Sequence, residues 1–345
     1  MPLFRKTFSV KTLATAALGA LSVLTAPAAL SQGCVIARGG GAIAQTTDGS
    51  WLAAGHWQVG MAYRWFRSDR HFVGHSEQTH RQREGSEVVN RSHFLDLNLT
   101  YAATDRLWIT ATIPYFASDR SSLYEHDRVH RHHTQSAGLA DVRVTGTWWM
   151  RDPESAKDMN WAIGVGIKAP TGDYENTDVF QRTNGPTTRY VDSSIQPGDG
   201  GWGVVVETQG YWRFAEQWAG YFNGSYLINP AERNRTTNFS VPDAYLARIG
   251  VDFMPKELHG FGFSLGGRVE GVPPHDLIGG NGGSRRPGYA ISVEPGVQFA
   301  NESWSAGLTV PVAVDRSRQR TYRAANHGDA AFADYSVNFT INRRF

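Results

Sequence analysis

The chain of 345 residues contains one cysteine, Cys34, so no disulfide can form within it. Past residue 35 it lacks any uncharged apolar run long enough to carry a helix across a bilayer, which excludes a helical membrane protein. Lysine is nearly absent beside abundant arginine, and net charge is small. Of the formal +2, three positive charges (Arg5, Lys6, Lys11) stand at the N-terminus, leaving 2 − 3 = −1 for the rest. A chain so close to neutral has no electrostatic means of gripping nucleic acid, and no such partner is expected. Apolar residues, at 41%, are too many for a disordered chain. Glycine is abundant at 37, and tryptophan and tyrosine number 11 and 13.

The N-terminus reads as an export signal over residues 1–31. A basic start precedes an uncharged stretch of small and apolar residues, and Ala26, Ala28 and Ala29 offer cleavage sites. Ser31-Gln32-Gly33-Cys34 resembles a lipoprotein box, with Gly before Cys; the other reading of Cys34 is a plain thiol near the mature start. Residues 32–55 are rich in glycine, and are expected to be either a periplasmic tether or a partial plug.

From residue 56 the dominant signal is period two. Trp57, Val59, Met61, Tyr63 and Trp65 alternate with Gln58, Gly60, Ala62 and Arg64, a ribbon with one greasy face and one polar or small face. The same pattern recurs over residues 95–101, 107–115, 140–148, 161–168, 202–209, 218–228, 245–253, 261–270, 289–299, 304–312 and 335–345. Twelve strands of about ten residues each suit tilted crossings of a hydrocarbon layer. Connections alternate in length. Short turns near 102–106, 152–153, 213–217, 254–259 and 301–303 separate long polar loops at 66–91, 117–137, 169–200, 229–241, 271–287 and 314–330. This asymmetry is that of outer-membrane barrels, with long loops outside and, for an even strand count, both termini in the periplasm. The last strand ends in Phe345 and resembles the signal read by the outer-membrane insertion machinery, although Arg343 stands where an apolar residue is usual. The fold expected over residues 56–345 is therefore an all-β, antiparallel up-and-down transmembrane barrel, partnered by outer-membrane lipids.

A twelve-stranded barrel is roughly 24 Å across its backbone, so side chains fill much of it. The faces opposite the greasy ones carry Arg64, Arg143, Lys168, Arg248 and Arg268 against Asp96, Asp141, Glu207, Asp252, Glu270 and Glu294. Either these charges pair across the interior and stiffen it, or they line a solute path.

The loops concentrate histidine: His71, His75 and His80 in the first, and His126, His130, His132 and His133 in the second. Neutral imidazoles bind zinc, copper or nickel. In polar loops, solvated histidines are the alternative. Ser92-His93 has no companion Asn or oxyanion signature, so no catalytic triad is expected. Gly164-Val165-Gly166 falls within a strand and is no nucleotide loop, so no cofactor is expected. Thr171-Gly172-Asp173 after Pro170 reads as a turn.

Four segments carry a family resemblance: GLADVRVTGTWW (residues 138–149), GIKAPTGDY (166–174), GHWQVGMAYRWFRSDRHFVG (55–74) and YAATDRLWITATIPY (101–115). Together they resemble the outer-membrane transporters named for the meta-pathway of phenol degradation, over about residues 50–345. The resemblance implies a barrel that passes small organic, often aromatic, solutes. The expected function is passive passage of small solutes. The alternative is a closed barrel whose histidine-rich loops bind a metal or a partner.

Overall fold

The computed structural model describes residues 51–280, 282, 285–320 and 328–345. The expected signal peptide, Cys34 and most of the glycine-rich segment lie outside the described residues. In chain order the strands are β1 (Trp57–Val73), β2 (Ser76–Glu77), β3 (Val89–Ala102), β4 (Leu107–Ser122), β5 (His132–Leu139), β6 (Arg143–Trp149), β7 (Met159–Lys168), β8 (Thr177–Arg182) and β9 (Gly185–Tyr190). They continue as β10 (Gly203–Ala215), β11 (Trp218–Ile228), β12 (Ala244–Phe253), β13 (Phe261–Val272), β14 (Gly288–Ala300), β15 (Trp304–Thr309), β16 (Val312–Arg318) and β17 (Ala330–Arg344). No helix among the described residues is long and apolar enough to cross a membrane.

The strands of the wall pair antiparallel in an up-and-down order, β7 pairing with β10 past the intervening β8 and β9, and β17 returns to β1 from Gln58↔Arg344 to Phe72↔Ala330, so the sheet closes. β5 and β6 are two halves of one stave, both paired with β4, and β15 and β16 are halves of another, both paired with β14. With these joined the wall has twelve staves, as the alternation requires; β8 and β9 form a separate hairpin.

The barrel is inside out relative to a soluble protein. Val59, Leu97, Leu99, Ile113, Val165, Ile167, Ile249 and Leu265 lie exposed on the outer wall, whereas Thr100, Thr112, Gln209, Asn223, Ser292 and Asn338 are buried inside. Outward greasy side chains surround a polar interior only where the solvent outside is lipid. Aromatic pairs ring the short-turn end, among them Trp57–Tyr101, Trp218–Phe253 and Phe261–Phe299, with ring centroids 4.5, 4.6 and 4.8 Å apart. Such rings suit the lipid–water interface. Arg343 fits the same belt: its guanidinium lies over the Trp304 and Phe345 rings, at 5.2 and 4.7 Å.

The expected long loops are shorter than the alternation suggested. β1 runs on to Val73, β3 begins at Val89, β4 reaches Ser122, β5 starts at His132 and β17 at Ala330. Beyond the bilayer both faces of a strand meet polar surroundings, so period two disappears from the sequence while the ladder continues.

Candidate functional site

The interior at the long-loop end is built from three rings on adjacent staves. Phe66 of β1, Phe94 of β3 and Phe116 of β4 point inward and pack together, Phe66–Phe94 stacked at 5.8 Å and Phe94–Phe116 tilted at 4.7 Å. They line a cavity of about 160 Å³ together with Leu227, Val272, Phe239 and Ala330. Asp96, Arg143, Lys168 and Asp199 add polar groups to its wall.

On the short-turn side the cavity meets a belt of ion pairs. Arg64 of β1 donates to Glu270 of β13 at 2.6 Å; Arg268 contacts Glu270 at 3.1 Å and Glu294 at 3.6 Å; Arg248 also pairs with Glu294. Arg143 approaches Asp96 at 3.5 Å, and Glu207 accepts from the Thr147 hydroxyl at 3.1 Å. Asp252 is buried nearer the short turns. A glycine pair makes space in this belt. Gly250 and Gly266 face each other across β12 and β13, and a Cβ on Gly250 would stand 2.6 Å from Tyr221 Cζ. The Tyr221 ring thus lies along the wall instead of crossing the lumen.

On the outer side a folded loop roofs the cavity. Residues 191–201, between β9 and β10, lean inward, with Val191 and Ile195 packed on Phe116 and Ala140. Asp192 anchors the loop to two buried arginines: Arg286 at 3.2 Å and Arg120 at 3.8 Å. Burial opposes ionisation of Asp192, but the Arg120 and Arg286 guanidiniums and the Ser194 N–H outweigh it and hold the carboxyl below its usual range. Arg120, fully buried, also grips Glu125 with two bonds, at 2.6 and 2.9 Å, and donates to Asn90 at 3.0 Å.

The wall is broken beside the roof, at residues 140–142 between β5 and β6. The freed backbone groups are caught by the segment after β7. Val142 N–H donates to Thr171 Oγ1 (2.9 Å), Ala169 N–H to the Val142 carbonyl (2.9 Å), and Thr171 Oγ1 to the Ala140 carbonyl (3.2 Å). Asp141 turns inward, accepts from Gly172 N–H at 3.0 Å and meets Lys168 Nζ at 3.4 Å, while Lys168 also binds Asp199 at 2.5 Å. Gly172 and Gly198 lie back to back: a Cβ on Gly172 would stand 2.8 Å from Gly198 Cα and from the Ala140 carbonyl carbon. The Pro-Thr-Gly-Asp segment is therefore more than a turn. It splices a broken stave and ties the roof to it. The cavity lining reaches this break, and includes Tyr115, which is 45% exposed on the outer wall.

The loop histidines separate. His71 is a buried residue of β1: its Nε2 accepts from Val88 N–H at 2.8 Å, so the network assigns the proton to Nδ1, which donates to Asp329 at 2.8 Å. His75 pairs instead with Asp315. Their four-residue spacing would be helical ligand spacing, but His71 lies in a strand. His130 and His132 both face Asp127, whereas His133 turns to Asp119 at 2.8 Å. His126 is buried, stacked on Phe180 of β8, and accepts from Gln181 N–H through Nδ1. Ser92 and His93 point to opposite faces, Ser92 inward to Ser118 and His93 outward to the Tyr63 hydroxyl, so they do not meet as nucleophile and base.

Sequence reasoning missed the aromatic trio and the anchors Arg120, Asp192, Asp199 and Arg286. Phe94 and Phe116 sit beyond the alternating segments, and the anchors lie in stretches that read only as polar loop. The one available signal was a pair of glycine–aspartate steps, at 172–173 and 198–199, in an otherwise loop-like stretch.

No family model matches the chain, and no curated protein matches it. Among solved structures, the COG4313 outer membrane channel from Pseudomonas putida F1 covers 87% of this chain and 99% of its own, with TM-score 0.57 and 14% identity. The beta domain of the Bordetella autotransporter Brka matches over 84% and 100%, with TM-score 0.42 and 12% identity. The P. putida toluene transporter TodX matches over 92% and 98%, with TM-score 0.41 and 10% identity. The first likeness is one of fold, and the two looser ones carry no argument. The closed barrel, its lipid-facing wall and this shared fold place the chain in the Gram-negative outer membrane.

Proposed function

We propose that the chain is a passive channel for small organic solutes of about one aromatic ring, akin to the transporters named for the meta-pathway of phenol degradation. The observation that carries this reading is the cavity lined by Phe66, Phe94 and Phe116. At about 160 Å³ it matches the roughly 150 Å³ apolar cavity known to take up benzene. Clustered aromatic rings offer apolar surface to another ring, while the ion pairs across the lumen leave little width for large hydrated solutes. The channel function in the name of the COG4313 protein is in keeping with a passive channel.

Uptake follows the concentration gradient, because the described residues include no domain that could couple energy. Liposomes carrying the purified protein are expected to admit toluene- or phenol-sized compounds faster than empty liposomes, and to exclude disaccharides. Equal rates for both solute classes would overturn the assignment to small aromatics. Rates no faster than those of empty vesicles would overturn the channel reading itself.

A further inference from the structure

We propose that Asp127, His130 and His132 form a binding site for a divalent zinc, copper or nickel ion on the outer rim, independent of the channel reading. The three sit where β4 and β5 extend past the wall, joined by residues 123–131, with His132 opposite Ser122 in the ladder. Arg128, at φ 67°, reverses the chain between them.

The carboxylate is held in place before any ion arrives. Asp127 Oδ1 accepts from the backbone N–H groups of Val129 and His130, both at 2.8 Å. That leaves Oδ2 to face His132 Nε2 at 3.1 Å and His130 Nδ1 at 3.4 Å. All three ligand atoms lie within 4.8 Å of one another. Zinc bonds of about 2.0–2.2 Å set tetrahedral ligand atoms roughly 3.4 Å apart. The two observed oxygen–nitrogen separations already suit that spacing. The His130 side chain, 74% exposed, is free to swing the remaining edge closed. Two imidazoles and one carboxylate are a donor set for late first-row ions, and the open side leaves a fourth position for water.

Neighbouring groups support the ligands without competing for the ion. The His132 ring packs on His126 at 5.1 Å, and His126 stacks on Phe180 at 5.2 Å, so one flank of the site is dry. His126 is itself no ligand. Its Nδ1 accepts a backbone N–H, so neutral imidazole carries its proton on Nε2, which is buried with no acceptor among the described residues. His133 alternates to the other face of β5 and binds Asp119. Of the four histidines grouped by sequence, two are assigned to the site and an aspartate completes it.

The test is calorimetric titration of the full-length protein in detergent micelles, free of any polyhistidine tag, with ZnCl2, together with electron paramagnetic resonance of the copper(II)-loaded protein. One ion per chain is expected, with micromolar or tighter affinity and nitrogen hyperfine splitting on copper. His132→Ala and Asp127→Asn should each weaken binding about tenfold or more. His133→Ala should bind like the parent, and strand circular dichroism should be retained in all three. Zinc affinity no tighter than millimolar in the parent would overturn the site, leaving the Asp127 contacts as plain hydrogen bonds. A loss in His133→Ala equal to that in His132→Ala would overturn the assignment as well.

Discussion

Arg64 on β1 and Glu270 on β13 meet at 2.6 Å although three staves separate their strands around the wall. The contact spans a chord of the barrel instead of following the sheet. It joins the β1 side of the lumen to the Arg268–Glu294–Arg248 cluster, and the Arg64 guanidinium lies 5.7 Å from the Phe66 ring of the cavity lining.

Removing one member of this pair strands a buried charge. Glu270→Gln takes the carboxylate from Arg64 and leaves Arg268 with Glu294 alone, and should cost about 3–5 kcal/mol. The expected readout is a lower temperature for loss of the compact, heat-modifiable form in gel electrophoresis. Arg64→Met combined with Glu270→Met should regain much of that loss and raise single-channel conductance by removing the ion pair that bridges the lumen. If Glu270→Gln leaves the melting temperature of the barrel unchanged, the belt is not stabilising.

The roof should open in acid. The Asp192 carboxyl is held below its usual range, so its contribution is present above its unfolded value, about 3.9, and fades as pH falls through the lower folded value. At neutral pH the latch to Arg286 and Arg120 is intact. Asp192→Asn is expected to raise conductance at pH 7, and to remove the rise that the parent shows only in strong acid. Identical conductance–pH curves for the two proteins would refute the latch.

Gly172 tests the splice at the broken stave. A Cβ there meets backbone of Ala140 and Gly198 at 2.8–2.9 Å, which cannot yield as a flexible side chain would. Gly172→Ala should therefore destabilise by about 1–3 kcal/mol. Gly267→Ala, with nothing within 4 Å, should be tolerated. Thermal unfolding followed by circular dichroism in micelles compares them; equal midpoints would deny the splice its structural role.

Phe94 sits between the other two rings, so Phe94→Ala should enlarge the cavity more than either outer truncation. Two-ring solutes such as naphthalene should then enter liposomes faster than through the parent, shifting their ratio to toluene by roughly tenfold. An unchanged ratio would mean that the trio does not set solute size.

The sequence by itself determined the wall. Backbone geometry sends successive side chains to opposite faces whatever the rest of the chain does, so Trp57, Val59 and Met61 declared the lipid side and Arg64, Asp96 and Glu270 the inner one. It also determined the stave count and which end bears the long loops. Only the tertiary structure decided which inner groups meet. Arg64 and Glu270 are 206 residues apart, Arg286 and Asp192 are 94, and closure of the sheet brings each pair together. The ends of the staves were equally beyond local reading, because outside the bilayer nothing penalises a polar outer face. The splice, the roof and the sorting of His130 and His132 from His126 and His133 arise where distant loops fold onto one another, and period two has no hold there.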